Sequence, residues 1–144
     1  MTKSNPLIYI VGPLFSEGNR WLLERVDEVC REVGFDTYLP HRDAGLFTRD
    51  ELGSATFFNR DVEQLDKAYF VVAVLNGTDV DSGTSWEMGY VYARETPIIG
   101  YLADTRIYDP QQQLNPMIVN SLHDLAGNLR DLRTILERVR QQVQ

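Results

Sequence analysis

Asn76-Gly77-Thr78-Asp79-Val80-Asp81-Ser82-Gly83-Thr84-Ser85-Trp86-Glu87-Met88-Gly89-Tyr90 is the stretch on which the rest of the chain turns. Before it runs Tyr69-Phe70-Val71-Val72-Ala73-Val74-Leu75, the most strand-like segment of the sequence. A Gly/Asp/Ser-rich turn then leads into a segment that begins like a helix. Thr84 is followed three residues later by Glu87, the spacing of a capping box. Three carboxylates, Asp79, Asp81 and Glu87, therefore collect where a buried strand passes into a helix. Ligands bind at the carboxyl ends of the strands in an open α/β sheet. The same residues also have a purely structural account, in which Asp81 or Thr84 caps the helix and Glu87 completes the box.

On the N-terminal side, Leu7-Ile8-Tyr9-Ile10-Val11 is a short buried-strand run closed by Gly12-Pro13. The turn after it has neither the GxGxxG spacing of a dinucleotide loop nor the GxxxxGK[ST] of a P-loop, which weakens a dinucleotide or ATP reading. From Ser16 to Val33 the apolar residues Leu22, Val26, Val29 and Val33 step by three or four, an amphipathic helix ended by Gly34. Phe35 to Leu39 reads as a second strand, followed by a polar loop from His41 to Phe47. Ser54 to Ala68 carries Phe58, Val62 and Leu65 at helical spacing, and Asp61 borders that apolar face. Half-buried there, its carboxyl would have a raised pKa and suit proton donation.

On the C-terminal side, Trp86 to Arg94 is apolar nearly all round, so the helix should be buried on more than one side, with a partner subunit as a plausible cover. Thr96 to Leu102 reads as a fourth strand with its proline at the start, and residues 103–114 as a long polar loop. Pro116 suits the first position of a short helix, Leu122 to Leu125 reads as a weak fifth strand, and the tail from Asn128 as a surface helix. Strands alternating with helices over residues 1–144 predict one α/β domain, a doubly wound, flavodoxin-like or Rossmann-like parallel sheet of about five strands with helices on both faces.

The 144 residues are 43% hydrophobic and 24% charged, ordinary for a globular chain. A net charge of −7 argues against a nucleic-acid partner, which calls for a basic face. The lone Cys30 excludes an internal disulfide framework and a cysteine-based zinc cluster. No apolar run approaches the ~18 residues of a membrane span. The N-terminus lacks a signal-peptide core, so a cytoplasmic location is the expectation.

A carboxylate at a helix N-terminus is held ionised by the helix dipole. Retaining glycosidases show what such a group can do: it attacks the anomeric carbon while a second carboxyl group assists the leaving group. Glu87 and Asp61 have the ingredients of that division, with Asp81 available to accept bonds from sugar hydroxyls. Three oxygen ligands could also hold Mg²⁺, but neither a lysine nor a glycine-rich phosphate loop accompanies them.

Taken together, Ile8 to Ser16, Leu39-Pro40-His41-Arg42-Asp43, Asn59-Arg60-Asp61, Asp81 to Tyr90 and Asn115-Pro116-Met117 resemble, in order and spacing, the nucleoside 2-deoxyribosyltransferases. The likeness runs roughly from Ile8 to Met117, and the Asp81–Tyr90 block is its most specific part. The resemblance implies that Glu87 is the nucleophile that attacks C1′. Tyr9 would hold and tune it, and Asp61 would protonate the departing base. Asp81 would bind the sugar hydroxyls, and Gly12, Phe15 and His41 are further candidate substrate contacts. His41 stands where relatives often carry Gln. Asn115 and Met117 match residues that family members insert into a neighbouring subunit's site, so a homo-oligomer is implied, a dimer or a hexamer of dimers. The implied partners are 2′-deoxynucleosides and free nucleobases, with no metal or organic cofactor. Two rivals remain open: an N-glycosidase that hydrolyses deoxynucleosides or their 5′-monophosphates, and a non-catalytic nucleotide-binding module in which Glu87 is only a cap.

Overall fold

The computed structural model describes residues 4–45, 53–104, 106 and 114–143. Five strands, β1 (Leu7–Val11), β2 (Asp36–Tyr38), β3 (Phe70–Val74), β4 (Ile98–Tyr101) and β5 (Asp124–Ala126), lie all parallel in the order β2-β1-β3-β4-β5. Between and after them run α1 (Glu17–Val33), α2 (Pro40–Asp43), α3 (Ser54–Lys67), α4 (Ser82–Ala93), α5 (Pro116–Val119) and α6 (Leu129–Gln142). The chain steps outward from β1 to β2, returns past β1 to β3, then continues outward through β4 to β5. The order reverses between β1 and β3, and such a reversal opens a crevice beyond the strands' carboxyl ends. The doubly wound parallel sheet expected from the sequence is the one observed.

Side-chain alternation sorts the core into two layers. Ile8 and Ile10 of β1, with Phe70, Val72 and Val74 of β3, pack against Leu23, Val26 and Cys30 of α1 and Leu132 and Leu136 of α6. Tyr9 and Val11, with Val71 and Ala73, face the opposite way, toward Leu65 of α3 and Met88 and Val91 of α4. Both faces of β3 are covered, which is why its sequence is apolar without a break.

α1 begins at a capping box: Ser16 Oγ accepts from the Asn19 backbone N–H at 3.0 Å, and Asn19 Oδ1 accepts from that of Ser16 at 3.2 Å. It ends at Gly34, whose φ of 104° is the left-handed conformation glycine adopts most easily.

Two expectations need correction. The segment after β2 begins with a turn of helix, α2, rather than a loop. Asp43 Oδ2 accepts from the Leu39 N–H at 2.8 Å, and Arg42 Nη1 reaches back to Asp27 Oδ2 at 3.0 Å. Asp27 is only 6% exposed, a costly place for an unpaired carboxylate. The Arg42 guanidinium and the Thr37 hydroxyl satisfy it and pin α2 against α1. The second correction concerns α4, whose inner face is Thr84, Met88 and Val91, while Trp86 and Tyr92 are 48% and 57% exposed. The described chain covers one side of this apolar helix, not several. Residues 46–47 of the expected loop and most of 103–114 lie outside the described residues.

Candidate active site

The alternation that sends Ile8 and Ile10 toward α1 turns Tyr9 toward α3 and α4, where it is fully buried. Strand register pairs Tyr9 with Tyr38 of β2, and their rings lie 5.1 Å apart. The Tyr38 hydroxyl donates to Asp61 Oδ1 at 3.1 Å. On α3, Phe58, Asp61, Val62 and Leu65 recur at three-to-four spacing and share one face. α4 opposes them with Gly83, Trp86 and Glu87, and the two faces enclose a pocket of about 260 Å³. Gly83 lies one turn before Glu87, and its missing side chain keeps that wall low.

Electrostatics single out the same groups. Glu87 is pushed up to about 8, first by the loss of water around it, then by the negative charges of Asp61 and Asp81. Interaction with the Tyr9 hydroxyl pulls the other way. Asp61 is also raised by burial, against the lowering effect of bonds from Tyr38 and Tyr9. Both phenols are pushed up, by burial first and then by these carboxylates, and so stay protonated at neutral pH. Among the described residues, the buried Tyr9 hydroxyl has no partner in strict hydrogen-bond geometry, although Glu87 and Asp61 both act on it. Two carboxyl groups and two phenolic hydroxyls are thus held together in a place poor in water.

The helix cap differs from the Thr84/Glu87 box. Asp81 is the N-cap of α4: its Oδ2 accepts from the Thr84 backbone N–H at 3.0 Å and from Thr84 Oγ1 at 3.2 Å. Glu87 sits in the second turn, beyond the first-turn reach of the helix dipole. Its environment therefore favours the protonated form, the reverse of the dipole-held anion expected from sequence. The purely structural account of Glu87 as half of a cap falls with it. Asp81, half-buried at the carboxyl end of β3, combines capping with a position beside the acidic pair.

Tyr9, Asp61 and Glu87 come together, but other predicted contacts do not join them. Gly12 is a packing position: a Cβ there would meet Leu23 Cδ2 at 2.7 Å and Val74 Cβ at 3.1 Å. Phe15 points outward, 79% exposed. The His41 ring is nearly buried, with Nε2 against Glu24 Oε1 of α1 at 3.1 Å, and it lines no part of the pocket. Asn115 caps α5 through its Oδ1, which accepts from the Met117 N–H at 2.9 Å. With Met117, 80% exposed, it lines a separate groove of about 740 Å³ on the other flank of α4.

Sequence reasoning missed Tyr38, Phe58 and Trp86. Trp86 was read as buried, and Phe58 as a core position of its helix. Tyr38 shares a strand register with Tyr9, a pairing that aligned strands would have exposed. Among the described residues no group of three or more His, Cys, Asp or Glu side chains is arranged to hold a metal ion. No helix among them is long and apolar enough to cross a membrane.

Comparison with known proteins bears on the family and the fold. An uncharacterized protein of Schizosaccharomyces pombe is 24% identical over 113 residues, 72% of this chain. The chain spans about half the length of that curated relative, 53%. Among solved structures, a conserved protein from Enterococcus faecalis superposes with a TM-score of 0.81 at 22% identity, covering 94% of this chain and 99% of the other. A 2-deoxyribosyltransferase from Bacillus psychrosaccharolyticus gives 0.75 at 23% identity, over 90% and 95%. The CMP N-glycosidase of Clostridium botulinum gives 0.62 at 16%, over 92% and 98%. At these identities the likeness to solved structures is one of fold. Kinship rests on the sequence itself, because the family profile for nucleoside 2-deoxyribosyltransferase matches residues 8–130, most of the chain. The chain belongs to the nucleoside 2-deoxyribosyltransferase family.

Proposed function

We propose that the protein transfers a 2-deoxyribosyl group between nucleobases through a covalent intermediate on Glu87. The observation that carries this reading is that the Glu87 and Asp61 carboxyls line one small pocket and both interact with the buried Tyr9 hydroxyl. The donor binds with its deoxyribose over Glu87, within reach of Asp81, and its base toward Asp61. A Glu87 carboxylate oxygen bonds to C1′ as the C1′–N bond breaks, through an oxocarbenium-like transition state. The bonding pair leaves with the base, which takes a proton from Asp61. A second base then attacks C1′ through a ring nitrogen. The C1′–O bond to Glu87 breaks, and the incoming base returns its proton to Asp61. Two inversions retain the β configuration.

The pKa pattern adds a requirement. In the free pocket Glu87, raised to about 8, holds a proton near neutral pH, and its charge interacts with that of Asp61, so the two titrate as a pair. The reaction needs Glu87 ionised and Asp61 protonated, the other arrangement of the same single proton. A bound nucleoside favours it, since the base accepts a bond from protonated Asp61 and the electron-poor C1′ stabilises an adjacent anion. The proton moves without any net change in charge. Phe58 and Trp86 flank the mouth with exposed aromatic rings and would cover a bound base, limiting water.

Hydrolysis is the second reading, favoured by the fold shared with a CMP N-glycosidase. Against it, Asp81 puts a carboxylate near where the 5′ end of the sugar would lie, a poor place for a phosphate. We further infer that copies of this chain associate over the groove carrying Asn115 and Met117, which light scattering on the eluted protein would test. The decisive experiment is intact-protein mass spectrometry after mixing with a 2′-deoxynucleoside. One deoxyribosyl adduct is expected, mapped to Glu87 and missing from Glu87→Ala. Adding adenine to the adduct should yield deoxyadenosine, whereas free sugar alone would assign hydrolysis. No adduct and no turnover would leave the binding-module reading.

A further inference from the structure

Resting on that reading, we propose that Tyr38 is a positioning residue for the acid: its hydroxyl commits Asp61 Oδ1 as an acceptor and leaves the Tyr9 proton to Glu87. Two carboxyl groups, Asp61 and Glu87, both act on the buried Tyr9 hydroxyl, which has one proton to give. If Tyr9 alone served both, one carboxyl would remain buried without a donor, and an unmet buried charge is costly. The Tyr38 hydroxyl lies 3.1 Å from Asp61 Oδ1 and donates to it. Strand register holds it beside Tyr9 with the rings in contact, so its direction is set by the sheet rather than by a mobile side chain.

A neutral carboxylic acid carries one proton, and the oxygen that already accepts a bond is the worse place for it. With Oδ1 engaged by Tyr38, the proton of protonated Asp61 belongs on Oδ2, and Oδ2 is the oxygen left to serve the base. Tyr38 thus decides which oxygen is the acid, and it moderates how weak an acid burial makes Asp61. The charged and titratable groups around this pair are Tyr9 on β1, Glu87 on α4, Asp43 on α2 and Arg60 on α3, with Asp81 acting on Glu87.

Tyr38→Phe keeps the ring against Tyr9 and deletes only the hydroxyl. In the full chain, ¹³C carboxyl titration of Asp61, assigned with Asp61→Asn, should move to higher pH by about one unit, the scale of one lost hydrogen bond to a charged group. An unmoved or lowered midpoint overturns the proposal. The second measurement is kinetic and compares two donors. With deoxyadenosine, whose base leaves protonated, kcat/KM should fall about tenfold. With 4-nitrophenyl 2-deoxyriboside, whose leaving group departs as an anion, it should stay within about twofold. Equal losses on both donors would mean that Tyr38 only supports the fold, and would sink the idea. The titration needs no turnover, so it stands or falls separately from the transferase reading.

Discussion

Replacing Glu87 with glutamine tests the physical state of the site without any substrate. The carboxyl is raised from 4.5 to about 8, mainly by burial. A raised carboxyl means that the folded protein holds its proton more tightly than the unfolded chain does. The stability associated with that proton is complete below the unfolded value of 4.5 and is lost as pH rises through about 8. At about 1.4 kcal/mol per unit, the full gap sets a ceiling of about 5 kcal/mol. Glu87 is half-buried, so water at the pocket mouth relieves part of this, and about 2 kcal/mol is the expected loss. Glutamine has nearly the same shape and never ionises. The Tm of Glu87→Gln relative to wild type should therefore be flat near pH 4 and rise by roughly 6 °C by pH 8.5, at about 3 °C per kcal/mol for a chain of this size. Thermal melts by circular dichroism at half-unit pH steps would read it. Parallel Tm curves for the two proteins across that range would refute the claim that Glu87 titrates in a desolvated pocket.

Other perturbations separate scaffold from chemistry. Gly12→Ala forces a methyl group into Leu23 and Val74, and should cost about 1–3 kcal/mol, visible as a lower urea midpoint. Asp81→Ala removes the α4 cap, worth about 1 kcal/mol in a denaturant titration, and should also weaken donor binding measured by calorimetry. Trp86→Ala touches a half-exposed ring at the pocket mouth, so KM for the base should rise severalfold while Tm hardly moves. Because the reaction needs one proton on the Glu87–Asp61 pair, kcat/KM should fall as pH rises past about 8, and a profile flat to pH 10 would count against that pair.

The alternation of apolar runs with three-to-four-spaced segments, read along one chain, was enough for a doubly wound parallel sheet. It was also enough for the Ser16 helix start and the Gly34 stop, because these depend on contacts within a few residues. Asp81 and Glu87 also stood out locally, since the Asp81–Tyr90 block is contiguous. What tertiary structure alone decided is the ionisation of Glu87. Its neighbours in sequence suggest a dipole-held anion, while burial between α3 and α4 makes it a carboxyl that prefers its proton. The turn of Glu24 and His41 toward each other and the Tyr38 bond to Asp61 were likewise set by elements far apart in the chain. Local pattern specifies backbone and periodicity because those energies are short-ranged. Desolvation and charge pairing sum over everything nearby in space, and so become definite only when the sheet and its helices have closed around them.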